Sequence, residues 1–190
     1  MIGGSLAPAL APARWRAITA ASVAAVEVAL GWRFGWATPL AAYVYLGAAV
    51  TVAVVIDART HTMPNVVLLP SYPIGLGLLA AAAAVDGRWW PLGRAVIAMA
   101  TVTAFYLALA LVAGGQRMGL ADVTLGGLLG LLLGSVSWSA LASGVILGWV
   151  AALVAIVVWR PREPGQRAAR AIPAGPCLWL GALVAVLVTR

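Results

Sequence analysis

The run VTLGGLLGLLLGSVSWSALASGVILGWVAALVAIVVW, from Val123 to Trp159, contains no charged residue. Drawn as one helix at ~1.5 Å per residue it would far exceed a hydrocarbon core ~30 Å thick. The small polar stretch from Gly134 to Ser139 supplies a turn, so the run divides into two membrane spans, Val123 to Trp138 and Ala140 to Trp159. Outward from these, the same length criterion gives Arg16 to Trp32, Pro39 to Ile56, Val66 to Val85, Arg94 to Ala113 and Ile172 to Thr189, seven spans with short links. Lipid offers a backbone no hydrogen bonds, and no strand-like alternation competes with these runs. The expected fold class is all-α, a polytopic membrane helix bundle of about seven transmembrane helices.

Composition agrees, since 64% hydrophobic and 9% charged residues are too apolar for a soluble domain. The 12 basic residues are all arginine and the net charge is +7, but they fall singly or in one short cluster between apolar runs. That distribution fixes orientation in a bilayer and argues against a nucleic-acid partner. With the N-terminus inside, Arg14, Arg16, Arg59, Arg117, Arg160, Arg162, Arg167 and Arg170 lie inside and Arg33, Arg88, Arg94 and Arg190 outside. Eight against four predicts N-inside and C-outside, with the Arg160 to Arg170 loop as the main topology anchor.

The N-terminal arginines before an alanine-rich stretch resemble a signal peptide. The aromatic end Gly31-Trp-Arg-Phe-Gly-Trp36 has no clear small-residue cleavage site and fits an uncleaved anchor. Residues 1–38 are therefore read as a segment with one extra helix, ahead of a six-helix core at 39–190. One cysteine, Cys177, and one histidine, His61, build neither a disulfide framework nor a zinc site, so no metal or cofactor is expected.

The chain has only five acidic residues. Asp86 and Glu163 read as solvated loop charges. Glu27 lies within the first span, where an ionised carboxylate is expensive; it is expected to be protonated, to pair with Arg33 or to face another helix. Asp57 closes the second span and Asp122 opens the fifth. Two spans separate them, so both fall at one membrane edge. Asp122 stands where a carboxylate can cap a helix and meets the positive end of the dipole. Asp57 stands at a helix C-terminus, where no capping role explains it. A peptidase that activates water needs one carboxylate to take its proton and another to protonate the leaving amine, which assigns Asp122 as base and Asp57 as acid. As a close pair they would share a proton and titrate jointly.

At these residues the chain resembles the type IV prepilin peptidases, membrane aspartic proteases with a Gly-X-Gly-Asp motif. Ile56-Asp57 followed by Met63-Pro64-Asn65 carries the first part of the likeness, and Gly119-Leu-Ala-Asp122-Val-Thr-Leu125 running into Gly126, Gly127, Gly130 and Gly134 the second. The third is Ile172-Pro-Ala-Gly175-Pro176 with Gly181, similar to the family's last span. The resemblance implies a six-span peptidase core with Asp57 and Asp122 as catalytic acids. It implies prepilin or pseudopilin substrates of a pilus, secretion or competence system, with a short basic leader and a hydrophobic helix, cut after a glycine at the cytoplasmic face of a prokaryotic inner membrane. Ala121 replaces the second motif glycine and Thr124 the usual lysine. The paired Cys-X-X-Cys insert of larger members, linked to methylation, is not in this sequence, which implies cleavage without N-methylation.

The glycine series is expected to serve close helix packing, and Trp89-Trp90 to anchor an interface. Two other function classes stay open. Glu27, Asp57 and Asp122 suit a small proton-coupled transporter or channel, although two of them sit at one edge and no inverted repeat is evident. The alternative is an inactive family member serving as an assembly scaffold, which Ala121 keeps open.

Overall fold

The computed structural model describes residues 13–112, 120–158 and 174–189. Within them the chain forms seven helices and no strand: α1 (Ala13–Phe34), α2 (Leu40–Thr60), α3 (Asn65–Asp86), α4 (Trp90–Val112), α5 (Leu120–Val136), α6 (Trp138–Val158) and α7 (Ala174–Val188). Each lies where an apolar run predicts a span. The chain is a polytopic helical membrane bundle. Five helices are long and apolar enough to cross a membrane. The described parts of α5 and α7, at 17 and 15 residues, are shorter.

The division of the long apolar run occurs at Ser137. Its Oγ accepts the Ala140 N–H at 2.9 Å, a serine N-cap bonded to the third residue of α6. One residue thus ends α5 and starts α6, and the two pack on each other.

Consecutive helices run in alternating directions, which contacts at the two ends make plain. At one end the Arg59 guanidinium of α2 lies over the Trp15 ring of α1, 5.6 Å from its centroid. At the other, Arg33 of α1 donates to the Thr189 carbonyl just past α7 at 2.5 Å. The two helix-internal prolines of α3, Pro70 and Pro73, each remove an N–H from the ladder.

α5 is the centre. From Val123 to Ser135 every residue except Thr124 is buried, and the helix packs against α2, α3, α4, α6 and α7. Its glycines give the approach. A methyl group on Gly130 would sit 2.9 Å from the Ala98 carbonyl oxygen and 3.0 Å from the Met99 Cα, so α4 lies backbone to backbone against α5. The same device joins α6 to α7. α6 buries only Ala140, Gly144 and Gly148, one stripe at four-residue spacing, and Gly148 faces the backbone of Leu178 and Gly181. The remaining face of α6, with Ile146, Val150, Leu153, Val154 and Val157, is exposed as a lipid-facing surface should be.

Candidate active site

α2 ends in a single turn past Ile56, so Asp57 lies inside the helix rather than at its edge. His61 closes it in the left-handed conformation (φ 53°), and its N–H donates to the Asp57 carbonyl at 2.8 Å. Thr60 and Thr62 share a hydroxyl hydrogen bond of 2.8 Å across the turn. Pro64 then leads into α3. The backbone that carries Asp57 is therefore fixed on both sides, and its side chain is 7% exposed.

Asp122 lies in the first turn of α5 and is half-buried. The sequence expectation put it ahead of the helix as a cap; it is instead the third residue, still at the positive end of the dipole. The fold places the two acids near each other at one end of the bundle, Asp57 in the last turn of α2 and Asp122 in the first turn of α5.

The Asp57 carboxylate also lies against α7: a methyl group on Gly175, in the first turn of that helix, would sit 2.9 Å from Asp57 Oδ2. This approach is invisible to local pattern because α2 and α7 are far apart in the chain.

Around the pair stand residues that sequence reading did not single out. Tyr72 of α3 donates through its hydroxyl to the Thr124 carbonyl at 2.6 Å, two residues beyond Asp122. Tyr106 of α4 covers Gly126, whose added methyl would meet its ring at 2.9 Å. Both are polar-tipped aromatics in apolar helices, and that mismatch was the signal available. Thr124, where the family has lysine, turns its hydroxyl to the Leu120 carbonyl of its own helix at 3.0 Å.

The other charged residues lie elsewhere. Glu27 faces α2 at Gly47, both carboxylate oxygens buried and with no hydrogen-bond partner among the described residues. It does not pair with Arg33, which bonds to Thr189. Asp86 is exposed, as a solvated charge should be, and accepts from the Thr38 hydroxyl at 2.6 Å. At the end away from the acids Arg94 donates to the carbonyls of Gly134, Ser135 and Val136 at 2.6, 2.8 and 2.7 Å, capping the C-terminus of α5. A cavity of about 350 Å³ opens there, lined by Tyr43, Asp86, Arg88 and Arg94 and remote from the carboxylate pair. Among the described residues no three His, Cys, Asp or Glu side chains gather as metal ligands would. Gly119, Glu163 and the Arg160 to Arg170 loop lie outside the described residues.

A family model described as the type IV leader peptidase family matches residues 44–159, well over half the chain. The chain belongs to that family. Its leader peptidase segment spans α2 to α6 and includes Asp57, Asp122 and the α5 glycines, while α1 and α7 lie outside the match. No curated protein and no solved structure matches. Membership in the leader peptidase family makes the chain a peptidase, and so a hydrolase, of the membrane.

Proposed function

We propose that the chain is an integral-membrane aspartic endopeptidase that removes the short leader from type IV prepilin-like proteins at the cytoplasmic face of a prokaryotic inner membrane, without N-methylation. The observation that carries the proposal is the meeting of two acids, from α2 and α5, at one end of the bundle inside the matched segment. Asp57 and Asp122 are the catalytic pair. Residues 39–190 form the peptidase core and residues 1–38 carry an additional helix.

The chemistry follows from the two helix ends. Asp122, facing the positive end of the α5 dipole, holds the ionised form and takes a proton from water as its oxygen attacks the scissile carbonyl. Asp57, at the negative end of α2, holds the proton and gives it to the leaving amine as the C–N bond breaks. Each group then carries the other's starting state, and exchange of one proton with solvent restores the pair. A prepilin presents its basic leader to this edge and leaves its hydrophobic helix in lipid. The arginine asymmetry puts that edge on the cytoplasmic side.

Co-expression with a prepilin, scored by leader removal on a gel, tests the reading. Wild type should cut, and Asp57→Ala and Asp122→Ala should not. Uncut substrate beside well-folded wild type overturns it. That result favours the scaffold reading, to which Ala121 in place of the motif glycine points.

A further inference from the structure

Gly175 is buried in the first turn of α7, and its Cα faces the Asp57 carboxylate. A methyl group built there would lie 2.9 Å from Asp57 Oδ2 and 2.5 Å from the Met63 Cε. Both are the far ends of flexible side chains, so a Cβ at this position would be accommodated by displacing the Asp57 carboxylate and the Met63 methyl. The position without a Cβ is what leaves the carboxylate where it stands.

Asp57 is thus held from two directions. Its own backbone is fixed by the His61 turn, while its carboxylate is flanked by a helix that approaches from outside the segment matching the family. Trp179, one turn further along α7, donates its indole N–H to the Thr51 hydroxyl at 3.1 Å and sets the register of α7 on α2. That hydroxyl in turn donates to the Gly47 carbonyl at 2.7 Å. The N-terminus of α7 cannot slide along α2 without breaking this tie.

We propose that Gly175 is a positioning residue for Asp57: its missing side chain leaves the carboxylate in the orientation that proton transfer requires. The proposal rests on Asp57 being a catalytic acid. A carboxylate displaced by about 1 Å loses productive geometry, for which a rate loss of roughly 100-fold is the expected scale.

The test compares wild type, Gly175→Ala, Met63→Ala/Gly175→Ala and Gly144→Ala, each purified as the full chain in detergent and assayed on a prepilin across pH. Gly144→Ala is the packing control, because the nearest atoms to its methyl, at 2.7 and 3.2 Å, are the ends of the flexible Leu133 side chain, with the Ala185 Cβ farther off at 3.3 Å. The expected result is a kcat roughly 100-fold lower for Gly175→Ala with KM nearly unchanged. A limb of its pH-rate profile moves, while Gly144→Ala overlays wild type. The double variant has room on the Met63 side and folds, but stays impaired because the methyl still faces Oδ2. Wild-type rate and profile in Gly175→Ala, or rescue by Met63→Ala, overturns the proposal. Failure of the underlying reading looks different: wild type does not cut, or Asp57→Asn still does.

Discussion

The Asp57 carboxylate both neighbours Asp122 and packs against Gly175 of α7. Alanine there removes both contacts at once. Asp57→Asn keeps the side-chain shape against Gly175 while removing the proposed acid, and so isolates the chemistry. Prepilin cleavage should fall by roughly 10²- to 10⁴-fold in Asp57→Asn and in Asp122→Asn, the range for loss of a general acid or base. The double variant should be little worse than either single one, because the two carboxylates act as one unit. With both acids present the rate should peak between two limbs in pH, belonging to the pair rather than to either residue. Each Asn variant should lose one limb, measured as initial rate of leader removal against pH. Retention of both limbs in Asp57→Asn would refute its assignment as the acid.

At the scale of the element, the decisive contacts join helix to helix. Arg94 of α4 bonds three carbonyls at the end of α5, the place where the helix dipole favours a cation. Arg94→Met should cost roughly 2–3 kcal/mol in reversible detergent unfolding, the worth of charge-assisted bonds at a partly buried helix end. Because Arg94 lies at the far end from the acids, the folded fraction should keep its cleavage rate. Gly130→Leu should be more severe, since the new side chain would meet α4 backbone at Ala98 and Met99, which cannot rotate away. Loss of folded protein, read by size-exclusion profile, is the expected outcome. These elements show where sequence is legible. The spans and a break within Gly134 to Ser139 could be read because hydrophobic length and small polar residues are local properties, and the α5 glycines announced close packing by their spacing. The pairing of Asp57 with Asp122 followed from counting crossings. The Gly175 contact, the Tyr72 tie and the unpartnered Glu27 did not, because each depends on which face of one helix meets which face of a distant one.

At the scale of the whole molecule, alternation of seven helices sends the first turn of α1 and the last turn of α7 to opposite ends of the bundle. Trp15 beside Arg59 marks the acid end, and Thr189 beside Arg33 marks the other. The fold alone has no preference for which end faces the cytoplasm. In the proposed orientation charge supplies it: the seven-span reading of the sequence assigns eight of the 12 arginines to the side of the acids. A fluorescent protein that matures only in the cytoplasm should therefore glow when fused before Met1. A phosphatase active only outside should work when fused after Arg190. Cysteines placed at Arg59 and Arg88 in a Cys177→Ser background should label oppositely with a membrane-impermeant thiol reagent: Arg88→Cys in intact cells, and Arg59→Cys only after lysis. The reverse pattern would put the carboxylate pair outside, beyond reach of a leader that has not yet crossed the membrane, and would remove the cytoplasmic prepilin from consideration as substrate.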